Sequence, residues 1–153
     1  MGGPTAYQAG LAAAAMSLGP THMVTLTVND PTWRRPGQAF ALMRRDLRHW
    51  LAQLDRRLLG KHYARQPMDR RVDGLFVAEL LTSNPHLHGV LRLPEDRLDT
   101  DLQGVGEALW RGIVPAGEFR ARAASNAGAG GYVAKTQTPN SEIIFARDFH
   151  PAS

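Results

Sequence analysis

Asn84-Pro85-His86-Leu87-His88-Gly89-Val90-Leu91 decides how this chain is read. Two histidines flank one bulky apolar residue, and an aliphatic run follows. Side chains alternate across a strand, so His86 and His88 point one way while Leu87 packs the other. Imidazoles one strand repeat apart can both reach a single metal ion. Upstream, Gly74-Leu75-Phe76-Val77-Ala78-Glu79-Leu80 also reads as a strand, with Thr82-Ser83-Asn84-Pro85 as the turn between the two. An even-numbered hairpin loop puts Glu79 on the histidine face. Taken alone, His-Leu-His also describes an ordinary half-exposed strand. Glu79 and a downstream segment tip the reading toward chemistry.

Outward from the hairpin, Met23-Val24-Thr25-Leu26-Thr27-Val28 alternates apolar residues with Thr, a strand that Asn29-Asp30-Pro31 ends. Residues 38–59 predict the longest helix. Phe40, Met43, Leu47, Trp50, Leu51, Leu54 and Leu58 recur on one face, and Gly60 sits where a helix end wants glycine. Arg44, Arg45, Arg48 and Arg56 lie largely off that stripe and read as a solvated surface. Residues 61–73 form a polar connector. After the hairpin, Thr100-Asp101-Leu102-Gln103 fits a capping box for a short amphipathic helix ending at Arg111-Gly112. Residues 118–123 alternate again, Asn126 is placed to cap a third helix through Gln137, and Ile143 to Ala146 is a last short strand.

That order, β-α-β-β-α-β-α-β, predicts an α+β fold: an antiparallel sheet flanked by helices, in the ferredoxin-like (RRM-like) split βαβ arrangement. The division expected is an N-terminal arm over 1–22, one domain over 23–147 and a tail over 148–153. The arm is charge-free and reads as mobile or as a short helix over Ala9–Met16.

Composition narrows the chemistry. At 153 residues the chain suits one domain, and its 43% apolar content is ordinary for a globule. There is no cysteine, which excludes disulfides, zinc–thiolate sites and thiol catalysis. Any metal must be held by His, Asp, Glu or water. The formal charge is +4, suited to a polyanionic partner. Nearly all of it is arginine, which recognises phosphate bidentately; Lys61 and Lys135 are the only lysines. No stretch is long enough to span a bilayer and no cation precedes the apolar run after Ala9, so a cytoplasmic protein without a membrane role is expected. GxxxxGK[ST] is absent, which argues against a nucleotide-driven motor.

The downstream segment is Gly131-Tyr132-Val133-Ala134-Lys135. On a helix, residues three apart share a face, so Tyr132 and Lys135 present a phenol and an ammonium together. Ala127-Gly128-Ala129-Gly130-Gly131 before them is a poor helix former and predicts a mobile mount for the tyrosine. A Val-Thr-Leu-Thr strand, a His-hydrophobe-His strand with a carboxylate seven residues before it, and a late Tyr-x-x-Lys form an ordered trio. In that order they resemble the HUH endonucleases, and among them the single-tyrosine initiators (Rep proteins) of rolling-circle replication. The resemblance spans about Met23 to Gln137.

It implies that His86 and His88 ligate a divalent metal, Mn²⁺ or Mg²⁺, with Glu79 as third ligand. Tyr132 would be the nucleophile and Lys135 its helper. The activity implied is nicking and rejoining of single-stranded DNA through a 5′-phosphotyrosine link. The expected partners are a single-stranded origin or an extruded hairpin, and a host helicase, with the chain acting as monomer or homodimer. Arg92 shares the histidine face by parity, and Arg120 and Arg122 share one face of their own strand; these three are the candidates for backbone contacts. Rival readings are a single-tyrosine transposase, which keeps the chemistry, and a non-catalytic single-stranded nucleic-acid-binding module. The last would stack bases on exposed strand aromatics, for which Phe119 is one candidate while Phe76 is expected to face the core. A conjugative relaxase fits less well, since no third histidine follows His88 closely.

Overall fold

A computed structural model of the chain describes residues 5–30, 38–79, 84–124 and 142–150. Its elements in order are α1 (Ala6–Ser17), β1 (His22–Thr27), α2 (Ala39–Leu59), β2 (Asp73–Glu79), β3 (His86–Arg92), α3 (Leu102–Ile113), β4 (Glu118–Ala123) and β5 (Glu142–Phe145), with short 3-10 turns between some of them. The helix expected over residues 126–137 lies outside the described residues.

All pairings in the five-stranded sheet are antiparallel, in the order β4-β1-β3-β2-β5. β1 and β2 both run antiparallel to β3, so they run parallel to each other with β3 between them. That is the split βαβ arrangement, with β5 added beyond β2.

α2 and α3 cover one face of this sheet. Met43, Leu47, Trp50, Leu51 and Leu54 of α2 are buried against Val24, Leu26, Phe76, Leu87 and Leu91. Trp50 donates its indole N–H to the Gly106 carbonyl at 3.1 Å, and Trp110 donates to the Thr27 carbonyl at 2.9 Å. Both large rings thus enter the core without stranding a donor. Gly60 follows α2 with φ 88°, a conformation that favours glycine.

The opposite face carries α1, which is longer than Ala9–Met16. Thr5 accepts from the Gln8 N–H while the Gln8 side chain accepts from the Thr5 N–H, a capping box that starts the helix at Ala6. Leu11 and Ala15 are buried on Met23, Leu75, Val77 and Val90. β2 is therefore buried on both faces, which explains its nearly continuous apolar run.

The start of α3 corrects the capping box read at Thr100–Gln103. Asp101 is the cap, accepting from the Gly104 N–H at 3.2 Å. Gln103 instead crosses to the outer edge of β4: its amide donates to the Phe119 carbonyl at 2.9 Å and accepts from the Ala121 N–H at 2.7 Å. Satisfying two edge groups of a strand is worth more than one cap contact. Phe119, a candidate stacking residue, is only 3% exposed and packs 5.3 Å from the Trp50 ring. Strand parity turns it to the helix layer.

Among the described residues, no helix is long and apolar enough to cross a membrane.

Candidate metal centre

Strand register builds the centre. Glu79 is directly opposite His86, and Val77 is opposite His88, so the carboxylate and both imidazoles rise from one face. On the other side of β3, Thr27 is opposite His86 and Thr25 opposite His88. β4 then adds Glu118 beside Thr27 and Arg120 beside Thr25. The face thus presents two rows across the sheet: Glu118-Thr27-His86-Glu79, and Arg120-Thr25-His88-Val77.

The donor atoms of Glu79, His86 and His88 all lie within 4.8 Å of one another. His86 Nε2 and His88 Nε2 stand 3.1 and 3.4 Å from Glu79 Oε2. A cation holding ligands at about 2.1 Å spaces neighbouring ligands about 3.0 Å apart in an octahedron and about 3.4 Å apart in a tetrahedron. Both spacings to Glu79 Oε2 fall in that range. The group can hold a metal ion.

Hydrogen bonds behind the rings aim them. His86 Nδ1 lies 3.2 Å from the Asn84 carbonyl, which only accepts, so Nδ1 carries the proton. A neutral His86 then turns the lone pair of Nε2 toward Glu79. A lone pair facing a carboxylate oxygen is repulsive unless a proton or a cation lies between them, which is the chemistry of a metal site. Asn84 is itself fixed: its amide donates to Asn29 Oδ1 at 2.8 Å and accepts from the Asn29 N–H at 3.0 Å. Asn29 adopts φ 56°, which Asn tolerates better than most residues. His88 Nδ1 lies 3.2 Å from Thr25 Oγ1. When that ring nitrogen donates to the hydroxyl, Nε2 is left for a metal, the arrangement expected of an outer-shell partner. Burial pushes the His88 pKa below its ordinary value, and the nearby Glu79 only partly opposes this. The imidazole is therefore held in the neutral form that a metal needs.

Beside the triad, a groove of about 400 Å³ is lined by Met23, Thr25, His88, Gln103, Arg120 and Arg122. A larger cleft of about 660 Å³ at the far end of α2, around Gln66, Asp69 and Arg97, holds none of the triad. Chemistry, not volume, singles out the smaller one.

Comparison of the chain with protein-family models, curated proteins and solved structures returns no match. The residues themselves carry the argument.

Of the residues nominated from sequence, Glu79, His86 and His88 converge. Arg120 and Arg122 line the adjoining groove. Arg92 does share the histidine face, but its guanidinium turns to the Met68 carbonyl at 3.0 Å and lies 4.0 Å from Asp73. Tyr132 and Lys135 lie outside the described residues. Thr25 and Asn84 were missed as ring-orienting residues. The Thr alternation of β1 was visible, but its register against β3 was not.

Proposed function

We propose that this chain is a metal-dependent nickase and strand-rejoining enzyme for single-stranded DNA, acting as a replication initiator of the single-tyrosine kind. One observation carries the reading: Glu79, His86 and His88 converge on a sheet face that continues into a groove bearing Arg120 and Arg122. A divalent cation held there, Mn²⁺ or Mg²⁺, would withdraw charge from a scissile-phosphate oxygen and fix the group for attack. Three protein ligands leave positions for phosphate and water.

The chain's own residues do the rest. Tyr132 is the nucleophile: its phenolic oxygen bonds to phosphorus as the bond from phosphorus to the 3′ oxygen breaks. The phenolic proton is lost and the departing 3′ oxygen gains one, leaving a 3′-hydroxyl and a 5′-phosphotyrosine. The new ester conserves the energy of the old one, so rejoining needs no ATP. Lys135 favours the phenolate or offsets the charge of the attacked phosphate. Arg120 and Arg122 guide the sugar-phosphate backbone along the groove. An unpaired strand is the natural substrate, since its flexible backbone can bend a phosphate into the site while a closed duplex is stiff.

Of the phenylalanines on the described strands, Phe76 and Phe119 are buried and Phe145 is exposed, at 38%, which leaves the rival, a module that stacks bases on strand aromatics, a single ring. Incubation with single-stranded oligonucleotides from its own replicon and Mn²⁺ should give a covalent adduct on a denaturing gel. Tyr132→Phe and His88→Ala should each abolish it. An adduct that survives Tyr132→Phe moves the nucleophile to Tyr7 or Tyr63, and no adduct with any such DNA sinks the enzyme reading.

A further inference from the structure

The side of α2 that faces away from the core exposes arginines and no acid. Arg44, Arg45, Arg48 and Arg56 are exposed on it, with Arg45 keeping 66% of its side-chain surface. At 100° per residue they fall within an arc of about 120°, on one flank of the helix. The two carboxylates of α2, Asp46 and Asp55, are instead buried, at 5% and 0% exposure. Asp55 is spent on Arg71 at 3.0 Å, and Asp46 takes only Arg45 at 3.1 Å. Among the described residues, Arg48 and Arg56 have no ion-pair partner. Asp148, the exposed acid of the 3-10 turn packed against α2, makes no ion pair with it either.

Exposed arginines on a soluble helix are ordinarily interleaved with acids three or four residues away, which stabilise the helix and cancel the field. Here both acids of the helix are buried, Asp46 beside Arg45 and Asp55 under Arg71, so neither offsets the exposed charge of Arg48 or Arg56. A 21-residue helix thus shows solvent one sign of charge along most of its length. From Arg44 to Arg56 the row runs about 18 Å at 1.5 Å per residue, enough to reach across a DNA major groove about 12 Å wide and touch both backbones. Among the described residues the surface offers little for base stacking, since the exposed His49 ring is engaged by Gln53 at 2.8 Å. Trp50 points into the core, and the Phe149 ring is already covered by the Arg44 guanidinium at 4.8 Å. This is a surface for phosphates in a stiff array, not for unstacked bases.

We infer that the outer face of α2 is a second nucleic-acid surface, one that grips the backbone of duplex DNA without reading its sequence. It lies on the side of the sheet opposite Glu79, His86 and His88, since α2 packs on the Leu87 and Leu91 face. The molecule can hold a duplex on one side while the other side handles an unpaired strand. The inference does not depend on the cleavage chemistry, and each can fail without the other.

The test is fluorescence anisotropy with a labelled duplex of arbitrary sequence, without divalent metal, over a series of salt concentrations. The double variant Arg48→Gln/Arg56→Gln is compared with Arg70→Gln/Arg111→Gln, which removes the same charge from exposed arginines elsewhere. Each phosphate contact contributes about 0.9 to the slope of log affinity against log salt. The α2 variant should therefore lose about 1.8 from that slope and roughly tenfold or more in affinity at moderate salt. The control variant should lose much less, and Mn²⁺ binding should be unchanged in both. Equal losses in the two variants would reduce the surface to net charge and overturn the inference. So would a wild-type protein that ignores the duplex but binds vesicles of anionic phospholipid.

Discussion

Thr25 and Asn84 show how much of the candidate metal centre rests on groups that do not bind the metal, a hydroxyl in one case and a backbone carbonyl in the other. Each fixes the Nδ1 side of one imidazole, at 3.2 Å in both cases, and so decides where Nε2 points. Outer-shell partners of this kind are typically worth 10–100-fold in metal affinity. Thr25→Val keeps the β-branched shape that the strand favours and removes only the hydroxyl. It should weaken Mn²⁺ binding by roughly 10-fold or more, measured by calorimetry, with little change in urea stability. Unaltered affinity would mean that His88 is aimed by packing alone. Asn84 is less suited to substitution, because its side chain also ties the end of β1 to the start of β3 through Asn29.

At the scale of the element, β3 carries both imidazoles, and Gly89 next to them leaves room for the Phe76 ring of β2. Gly89 is opposite Phe76, and a Cβ added there would collide with the Phe76 ring. The ring lies flat across the two strands because residues 74 and 89 are both glycine. Gly89→Ala forces the ring or the strand to shift. Overpacking of this sort costs about 1–3 kcal/mol. The substitution should lower stability by that amount in urea and also weaken metal binding, because it moves the strand that positions the histidines. A variant with wild-type stability and affinity would show that Phe76 has room to turn aside. The motif is therefore longer than its histidines: Leu87 anchors it in the helix layer, and Gly89 admits the ring that packs beneath.

The whole molecule is a sheet with unlike faces. One is buried under α2 and α3, and the other is shared between α1 and the metal centre. Buried charge locks the first of these layers. Asp55 of α2, fully buried, accepts from Arg71 Nε at 3.1 Å and from the Val72 N–H at 2.9 Å. It thereby ties the helix to the start of β2. Asp73, also fully buried, takes Arg147 at 2.9 Å and holds the segment after β5. Removing one partner of a buried pair leaves the other charged and unsolvated, at a cost of about 3–5 kcal/mol. Asp55→Ala should destabilise the fold by that much in chemical denaturation, while metal affinity measured well below the transition stays intact. A loss under about 1 kcal/mol would place Arg71 in solvent rather than in the core.

The sequence by itself determined the local half of this protein. Side chains alternate with a period of two, and the one condition the sequence left open, an even β2–β3 loop, is met by the pairing of Glu79 with His86. Together these put Glu79, His86 and His88 on one face, whatever surrounds them. Local pattern likewise marked α2, the glycine after it and all five strands. Only the tertiary structure decided what stands beside the triad. Thr25 meets His88 across 63 residues of chain, and Arg120 joins that row one strand further on. Gln103 seals the β4 edge instead of capping α3, and an alanine-rich segment becomes a helix on the metal face. Such choices follow from the packing of both layers at once. No residue carries the register of a distant strand, because pairing energy is spread over the whole interface and is fixed only when the core closes.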